Sequence, residues 1–511
     1  MNSAIEYVVS QISSGRRDIE KIKREAATLF KVKVPKNSDI LAALKSCRIR
    51  VPSSVLLLLR KKPVRTLSGI TTVAVMVHPN GSCKHECAYC PFTGKAAKSY
   101  TGEEPAALRA RAANFDPTEQ VRARLRQYEA IGHLSQKCEV IIMGGTFLEM
   151  PNDYKKNFIK SLYDAMNKTP SSNLQEAKEI NESAPHRIVG LTIETRPDVC
   201  GMREINEMLE YGATRVELGV QHPDNRIYRL INRGHTVKDV EKATALLKDS
   251  AFKVLYHIMP GLPGSNKNKD VKMIKRLFEH EKFRPDMLKI YPTLIIAGTP
   301  LYSLAQSGRY LPYSAEEAAE VISEMFRYIP KYVRVMRIQR DIPANIISSG
   351  VKKSNLRELV EKRIAEKGFR VNEIRNKEVG LRRASIRRMK IERLDYGASD
   401  GKEIFLSYEN EEVIAGFVRL RIPGKNVFRK EITNSTALIR ELHVYGTEEA
   451  LGSTGEVQHR GIGQRLLAEA ERVAKEEEGM DKIIVISGTG VRGYYKKLGY
   501  KKDGAYVSKY L

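Results

Sequence analysis

The amino-acid sequence predicts an α/β protein with a small basic helical N-terminal arm, a partial (β/α) barrel and a C-terminal α+β domain. Three observations support this prediction. The chain of 511 residues is too long for one hydrophobic core. From residue 71 to about residue 350, short apolar segments alternate with amphipathic ones, which is typical of repeated βα units and a parallel sheet. From residue 396 onward the apolar segments follow one another like the strands of an antiparallel meander.

The predicted arm covers residues 1–70. Its apolar residues Ile19, Ile22 and Ala26 keep helical spacing. Residues 1–65 contain 15 basic and 5 acidic side chains. This excess of positive charge favours a nucleic-acid partner, and the alternative is a solvated surface.

A second basic segment joins the two predicted domains. Residues 352–393 carry 15 basic side chains against 6 acidic ones, and the whole chain has a formal net charge of +26. We interpret residues 351–395 as a basic linker that contacts phosphate groups, and the alternative is an amphipathic packing helix. Because Trp is absent, any stacking on nucleic-acid bases would use Tyr or Phe.

The predicted barrel domain covers residues 71–350. Parallel strands place their C-terminal ends at one edge of the sheet, and chemistry is expected at that edge. The predicted strands are Thr72–Val77, Val140–Met143, Ile188–Glu194, Arg215–Gly219, Lys253–Met259 and Met287–Tyr291, with helices between them such as Pro117–Ile131, Tyr154–Asn167, Arg203–Tyr211 and Val237–Asp249.

Four of these strands are followed by segments suited to ligand binding. Glycines let a ligand approach the backbone closely, and charged groups at strand ends are not needed for packing. The first segment can receive the amino group of a ligand. The four segments are Met143-Gly144-Gly145-Thr146, Glu194-Thr195-Arg196-Pro197-Asp198, Glu217-Leu218-Gly219-Val220-Gln221 and His257-Ile258-Met259-Pro260-Gly261-Leu262-Pro263-Gly264.

Three cysteines at C-x3-C-x2-C spacing, Cys83, Cys87 and Cys90, come directly after the first predicted strand. Three thiolates can hold three irons of a [4Fe-4S] cluster and leave the fourth iron open. The spacing resembles that of radical S-adenosylmethionine (SAM) enzymes. In that superfamily the open iron binds SAM, and one electron cleaves SAM to a deoxyadenosyl radical. The alternatives are a zinc site completed by His78 or His85, and buried thiols without metal.

Cysteine usage and hydropathy predict the cellular location. The six cysteines include none after Cys200, which argues against a disulfide framework and agrees with a reducing compartment. No run of eighteen apolar residues occurs, and the first residues lack the layout of a signal peptide. We therefore expect a cytoplasmic protein without a membrane partner.

The predicted C-terminal domain covers residues 396–511. Strands are expected at Ile404–Tyr408, Val413–Arg421 and Ala437–Tyr445, and Gln458-His459-Arg460-Gly461-Ile462-Gly463 then opens a helix that runs to about Glu478. Free backbone N–H groups at such a helix start can bind pyrophosphate. The segment matches the coenzyme A loop of GCN5-related N-acetyltransferases, and a strand at Ile483–Ser487 followed by Tyr494-Tyr495 completes the pattern.

Together these motifs resemble one family, the catalytic third subunit of Elongator in its stand-alone archaeal or bacterial form. The resemblance covers nearly the whole chain. It includes the cysteine loop, the four strand-end segments and the tyrosine pair. Further matching segments are Lys62-Pro63-Val64-Arg65-Thr66, Arg233-Gly234-His235-Thr236, Lys289-Ile290-Tyr291-Pro292-Thr293 and Glu441-Leu442-His443-Val444-Tyr445-Gly446.

The resemblance implies a radical SAM partial barrel followed by a GCN5-related N-acetyltransferase domain. It implies an enzyme that carboxymethylates carbon 5 of the wobble uridine, position 34 of tRNA, with acetyl-CoA as carbon source and SAM as radical initiator. It also implies that the basic arm and linker bind the anticodon stem-loop, and that an external electron donor reduces the cluster.

The resemblance also implies roles for individual residues. The cluster would be bound by Cys83, Cys87 and Cys90, and SAM by Gly144, Gly145, Thr146, Glu194, Arg196 and Gln221. The catalytic residues would be Lys289, Tyr291, Tyr494 and Tyr495. The acetyl-CoA site would consist of Lys137, Glu441, Leu442, His443, Val444, Gln458, Gly461, Ile462, Gly463, Gln464 and Tyr495.

Two other functions are weighed against this one. A protein lysine acetyltransferase with a structural cluster needs a general base near the thioester, for which the sequence offers Glu441. A tRNA-binding scaffold with vestigial sites is disfavoured by the intact motifs. Zinc-binding cysteines known near the domain junction of some relatives are replaced here by Arg375-Asn376-Lys377-Glu378-Val379, so we expect no zinc. The sequence leaves open the tRNA isoacceptors, homodimerisation and the presence of other Elongator subunits.

Overall fold

The architecture is that of a computed structural model, which describes residues 3–49, 51–60, 69–79, 83–133, 135–382, 388–425, 427–446 and 461–511. It contains two seven-stranded sheets and a helical N-terminal unit. In the part of the chain just given, no helix is both long enough and apolar enough to cross a membrane.

The N-terminal unit is a small helical bundle with its own core. Buried Ile12, Ile22 and Ile40, with nine other apolar residues, form a cluster separate from the main core. The unit reaches the barrel through Arg60, whose Nε donates to the backbone oxygen of Gly132 at 3.2 Å. Its helices are α1 (Ser3–Ser13), α2 (Ile19–Leu29), α3 (Asn37–Ser46) and α4 (Ser53–Leu59).

The first sheet is entirely parallel and forms the predicted partial barrel. Its strands follow chain order, apart from a short strand pair outside the sheet. They are β1 (Thr71–Met76), β2 (Lys137–Met143), β3 (Arg187–Thr195), β4 (Arg215–Gln221), β5 (Lys253–Ile258), β6 (Met287–Ile290) and β8 (Arg334–Ile338), and the short pair consists of β7 (Ile295–Ile296) and β9 (Ile347–Ser349).

Helices cover the outer face of this sheet because their apolar stripes pack against its buried outward-facing residues. Several begin with a side-chain cap, for example α6, where Asp116 accepts from the backbone N–H of Glu119. The helices are α5 (Pro105–Ala112), α6 (Pro117–Ala130), α7 (Asn152–Asn167), α8 (Leu174–Asn181), α9 (Met202–Glu210), α10 (Asn225–Leu230), α11 (Val237–Asp249), α12 (Lys267–Glu279), α13 (Pro300–Gln306) and α14 (Ala315–Met325).

Three helices connect the barrel to the second sheet: α15 (Leu356–Glu366), α16 (Ile374–Lys377) and α17 (Val379–Arg382). Leu356 and Val360 of α15 are fully buried, and Lys367 directly after α15 forms ion pairs with Glu320 and Glu324 of α14. The first half of the predicted linker is therefore packed on the barrel through an amphipathic helix.

The second sheet has the order β10-β11-β12-β13-β14-β16-β15. Its strands are antiparallel except for the pair β13 and β14, which is parallel. The elements are β10 (Lys390–Ala398), β11 (Gly401–Glu409), β12 (Ile414–Ile422), β13 (Thr436–Val444), α18 (Ile462–Arg472), β14 (Lys482–Val485), α19 (Arg492–Lys497), β15 (Lys501–Asp503) and β16 (Tyr506–Tyr510).

The predicted strands and helices of both domains are present, with ends shifted by up to three residues, except that α18 ends at Arg472 and continues as a π-helix to Glu477. Six strands were missed, namely β7, β8, β9, β10, β15 and β16. The seventh barrel strand, β8, contains Arg334 and Arg337, whose charges interrupt its apolar pattern. Strand β10 begins at Lys390, so the predicted domain boundary at residue 395 cuts through a strand. Its side chains are mostly half-exposed because it lies at a sheet edge, and this hides its periodicity.

The two sheets are joined by a cluster of buried charges. Arg440 of β13 donates to both carboxylate oxygens of Asp286, at 2.8 and 2.5 Å, and to Glu403 of β11 at 2.8 Å. Arg421 of β12 reaches Asp249 of α11 at 2.6 Å. Burial alone would raise the pKa of Asp286, but Arg440 and the neighbouring cations lower it far below its usual value. Because every charge has a partner, the cluster fixes the second domain on the barrel.

We predict that Arg440→Met strongly destabilises the protein, because it leaves Asp286 and Glu403 buried with fewer partners. Loss of one member of a buried ion pair costs about 3–5 kcal/mol, which urea unfolding followed by circular dichroism measures. The control is Glu279→Gln, which removes the exposed 3.6 Å pair with Lys275 and is expected to cost less than about 1 kcal/mol. Equal effects of the two substitutions would contradict the role of the cluster.

Candidate active sites at the two ends of the barrel

The first pocket lies at the C-terminal ends of the barrel strands and has a volume of about 150 Å³. The strand-end segments predicted from the sequence converge on it. Its lining includes Cys83, Cys87, Cys90, Gly145, Thr146, Glu194, Arg196, Gln221, Lys289 and Tyr291.

The cysteine loop is held by backbone hydrogen bonds on both sides. The N–H of Ala88 donates to Ile231 at 2.9 Å, and its carbonyl accepts from Leu301 at 2.8 Å. Lys98 donates to the carbonyl of His85 at 2.6 Å. These contacts fix the position of the three thiols against the pocket.

Arg233 provides positive charge beside the cysteines. Its Nη1 donates to Sγ of Cys87 at 3.3 Å, and Arg233 is itself buried. Although burial opposes a charge on Arg233, the neighbouring Tyr89 and Cys87 raise its pKa. A guanidinium at this position stabilises anionic sulfur, as a cluster bound through thiolates requires.

The donor set fits a [4Fe-4S] cluster better than a single zinc ion. Among the described residues, one group of three potential metal ligands has its ligand atoms within 4.8 Å of one another. It consists of Glu194, Glu217 and His257 and contains no cysteine. The ammonium of Lys289 lies beside both carboxylates of that group, so a cation is already present there. The cysteine sulfurs are spread more widely than ligands of one tetrahedral ion.

The glycine pair after β2 gives a ligand access to the backbone. Gly144 has φ of 135°, and a Cβ at this position would lie 2.5 Å from Val77 Cγ2, so no other residue fits. Beside it, Thr146 is fully buried and its hydroxyl has no hydrogen-bond partner; the same holds for Nη1 of Arg196. Such groups are expected where a polar ligand completes their hydrogen bonds. SAM, with amino, carboxylate and ribose groups, is of this kind.

The floor of the first pocket is a buried ionic cluster. Glu217 accepts from His257 at 2.7 Å and from Lys289, and Glu194 accepts from Tyr100 at 2.8 Å. Burial alone would raise the pKa of Glu217, but Lys289 and His257 lower it well below its usual value. Glu217 is therefore ionised at neutral pH.

The second pocket, of about 720 Å³, lies between the N-terminal ends of the barrel strands and the second sheet. Thr72, Lys137, Arg215, Lys253 and Arg334 line it from the barrel, each at the first or second residue of its strand. From the second domain it is lined by Glu441, Leu442, His443, Val444, Gly461, Ile462, Gly463, Gln464, Tyr494 and Tyr495.

Two backbone features of this pocket suit a thioester and a pyrophosphate. β13 pairs with β14 only from Thr436 to Ile439, so its residues up to Val444 leave their N–H and C=O groups unpaired on that side. Gly461, with φ of 78°, turns the chain into α18, whose first N–H groups lie free at the pocket. The predicted coenzyme A residue Gln458 lies outside the described residues.

Glu441 is not the free base that the sequence suggested. It accepts from Nε of Arg419 at 2.9 Å. Burial would raise its pKa, but Arg419, Lys253 and His443 lower it, so Glu441 is a weak proton acceptor. His443 is half-buried, burial lowers its pKa, and its Nε2 has no hydrogen-bond partner.

Most of the predicted site residues lie on the two pockets, but several of their neighbours were not predicted. Arg233 belongs to one of the matching motifs, which by itself indicates no role for it. Arg215, Glu139 and Tyr100 lie in or near predicted elements, but no spacing rule relates them to a site. Arg215 and Glu139 are placed by strand register, which pairs Arg215 with Lys253 and Glu194 with Glu217, whereas Tyr100 lies in the loop before α5.

Sequence comparisons identify the class of protein that this fold and these pockets define. The model of the ELP3 N-terminal domain matches residues 1–67, and that of the radical SAM superfamily matches residues 77–277. The model of the radical SAM C-terminal domain matches residues 285–366, and that of the acetyltransferase (GNAT) family matches residues 372–500. The chain is thus an acyltransferase enzyme of the radical SAM class, which implies a [4Fe-4S] cluster, SAM and acetyl-CoA.

Full-length relatives then identify the family. The chain is 49% identical to a tRNA uridine(34) acetyltransferase of Methanocaldococcus jannaschii, over 100% of this chain and 98% of the relative. It is 42% identical to Elongator complex protein 3 of Homo sapiens, over 97% and 93%. A solved structure of archaeal Methanocaldococcus infernus Elp3 with N-terminus deletion (1-46) covers 87% of this chain and 100% of its own, with 49% identity and a TM-score of 0.79. The chain belongs to the family of tRNA uridine(34) acetyltransferases and Elongator complex protein 3.

We predict that Arg233→Lys makes the reconstituted cluster harder to reduce. The lysine keeps the positive charge but loses the guanidinium N–H that donates to the Cys87 sulfur. The reduced cluster, which carries more negative charge than the oxidised one, therefore loses stabilisation. Loss of one hydrogen bond to a cluster sulfur should lower the midpoint potential of the cluster by roughly tens of millivolts. A spectroscopic redox titration measures this change. Lys95→Arg, a change at an exposed cation, serves as control. An unchanged potential in Arg233→Lys would contradict this role.

We predict that Gly463→Val weakens acetyl-CoA binding. A Cβ at Gly463 would lie 3.1 Å from the Tyr494 hydroxyl and 3.5 Å from Val444, so a larger side chain enters the second pocket. The dissociation constant, measured by calorimetry, should rise about tenfold or more, equivalent to about 1.4 kcal/mol. Gly493→Ala is the control, because its Cβ meets nothing within 4 Å. Similar affinities for both variants would show that Gly463 does not lie at the coenzyme.

Proposed function

We propose that this chain is a tRNA wobble-uridine carboxymethylating enzyme that uses acetyl-CoA and a SAM-derived radical. Its relatives are named for tRNA uridine(34), which supports this substrate. The observation that carries the proposal is the arrangement of two pockets at opposite ends of one parallel sheet. An acetyltransferase that only passed acetyl to an amine would have no use for a second pocket lined by three cysteines.

Each pocket contributes a different part of the chemistry. The cluster and SAM, when bound, would supply a carbon radical able to take a hydrogen atom from the acetyl methyl group. Bonding of that carbon to carbon 5 of uracil would be completed by loss of the C5 hydrogen as a proton and of one electron, which balances the electron spent on SAM, and hydrolysis of the thioester would release CoA. We assign the cluster to Cys83, Cys87 and Cys90. Gly145, Thr146 and Arg196 would receive the polar groups of SAM, through the backbone at the glycine and through the two unpartnered side chains.

The residues of the second pocket would hold and polarise the thioester. Unpaired N–H groups of β13 between Glu441 and Val444 can donate to the thioester carbonyl, and Tyr494 and Tyr495 lie beside them. Their rings meet edge to face at 5.2 Å. Tyr495 is buried, which raises its pKa and keeps its hydroxyl protonated as a hydrogen-bond donor.

The anticodon stem-loop of tRNA is the proposed ligand of the basic surfaces. The arm, proposed as residues 1–70, and the linker, proposed as residues 351–395, carry the two concentrations of positive charge. Arg337 and Arg340 at the rim of the first pocket extend this charge to the site where the wobble base would enter, splayed out of its stack.

Lysine acetylation is the second candidate and is less well supported. It needs a general base beside the thioester, and Glu441 is held as the ion-pair partner of Arg419. A neutral His443 remains in the pocket as a base. The two functions differ in whether they need the cysteine loop.

The proposal predicts that carboxymethyl transfer to tRNA depends on the cysteine loop. Reconstituted protein is incubated without oxygen with SAM, dithionite as one-electron donor, carbon-labelled acetyl-CoA and unmodified tRNA, and nucleosides are analysed by mass spectrometry. We expect labelled carboxymethyluridine with the wild type and at least a hundredfold less with Cys87→Ser. The control Cys47→Ser changes an exposed cysteine of the N-terminal unit and should remain active.

The same samples distinguish the second candidate. If tRNA stays unlabelled while a lysine-containing peptide gains label equally with the wild type and Cys87→Ser, the chain is a lysine acetyltransferase and the cluster is structural.

A further inference from the structure

The inference concerns the layer of side chains that separates the two pockets, and it rests on the proposed function. Arg215 lines the second pocket and Glu217 lines the first. They are two residues apart on β4, so both face the interior of the barrel, about 7 Å from each other along the strand. The acetyl group and the radical must meet across this distance.

An ion-pair layer formed by Glu139, Arg215 and Glu217 fills this position. Arg215 Nη1 forms an ion pair with Glu139 Oε1, and its Nη2 lies 3.5 Å from Glu217 Oε1. Arg215 is 4% exposed and Glu217 1% exposed. The layer crosses the barrel interior between the two cavities, and passage from one cavity to the other requires it to rearrange.

The layer contains polar atoms without partners. Arg215 Nε and Glu217 Oε1 are buried and make no hydrogen bond. A buried guanidinium N–H without an acceptor costs free energy unless a ligand supplies the acceptor. The carbonyl oxygen of an acetyl thioester is an acceptor of suitable size and polarity, and it has no charge that would oppose Arg215.

A glycine beside the layer leaves room for such a group. Gly190 lies within β3, where glycine weakens a strand and often marks close approach of a ligand. A Cβ there would make only ordinary contacts, 3.6 Å from Thr214 Oγ1 and 3.7 Å from Glu139 Cγ. Backbone conformation and packing therefore do not require glycine at this position, and the free volume it leaves faces Glu139.

We propose that Arg215 is a positioning residue for the acetyl group: its Nε–H donates to the thioester carbonyl when the acetyl group enters the space beside Gly190, and the ion-pair layer is the gate between the two pockets. The acetyl methyl group then points past Glu217 into the first pocket. Glu139 keeps Arg215 oriented, and Lys289 keeps Glu217 ionised and away from the entering group.

The first test needs neither cluster nor SAM. Acetyl-CoA labelled with carbon-13 at the carbonyl is bound to the apoprotein, and its carbonyl stretch is measured by isotope-edited infrared spectroscopy. We expect a shift to lower frequency with the wild type. The double variant Arg215→Met/Glu139→Gln, which avoids an unpaired buried carboxylate at residue 139, should keep only the part of the shift due to the N–H groups of β13, while binding free CoA with less than a threefold change in dissociation constant. A shift equal to that of the wild type would overturn the assignment of Arg215.

The second test fills the space beside β3. Gly190→Leu occupies it, whereas the control Gly493→Ala, whose Cβ meets nothing within 4 Å, should leave the enzyme within twofold of the wild type. With acetyl-CoA deuterated at the methyl group, SAM and dithionite, transfer of deuterium into deoxyadenosine should fall at least tenfold in Gly190→Leu, while SAM cleavage without acetyl-CoA remains unchanged.

The outcomes separate this inference from the proposed function. If the wild type transfers no deuterium, the radical function fails and this inference fails with it. If the wild type transfers deuterium and Gly190→Leu does so equally well, the acetyl group takes another route and only the inference is overturned. Loss of transfer in Gly190→Leu, with a smaller infrared shift in the double variant than in the wild type, supports both parts.

Discussion

The second domain is attached to the barrel around a buried ion-pair cluster, at whose centre Asp286 and Arg440 form a bidentate ion pair. Asp286 immediately precedes β6, and Arg440 lies in β13 one residue before Glu441 in the coenzyme pocket. The same strand therefore carries the attachment point and the pocket wall. Because each buried charge needs its partner, the second domain packs on the N-terminal ends of the barrel strands in one arrangement. The second pocket forms between the two domains only in that arrangement.

Charge has three different uses in this chain. The arginines and lysines of the arm and linker supply most of the net charge of +26, which attracts a polyanion over a distance. Arg233 balances the negative charge expected at the cysteine sulfurs. Inside the barrel, the charges of Glu217 and Lys289 compensate each other. Only the positive charge of the arm and linker can be recognised from the amino-acid composition. Salt screens charges at the surface and not those in the interior.

Most of the fold could be predicted from the sequence because barrel strands and amphipathic helices have distinct periods, and turn residues separate them. The cysteine loop and the glycine segments could also be recognised in the sequence, because both consist of residues close together in the chain. The missed strands have different causes: β8 and β10 carry charged side chains that disrupt a two-residue period, β7, β9 and β15 are only two or three residues long, and β16 lacks alternating burial. The partners of Glu441 and Arg215 could not be predicted, because Arg419 and Glu139 reach them through strand register, which no local pattern determines.

The placement of the two pockets at opposite ends of one sheet has a kinetic consequence. Neither ligand needs to leave before the other arrives, since the lining of one pocket shares no residue with the lining of the other. Nucleic acid and coenzyme should therefore be mutually noncompetitive and form a ternary complex in either order. The acetyl group therefore needs no covalent carrier to move between distant sites. The rate of the reaction instead depends on how often the few side chains between the two pockets move aside.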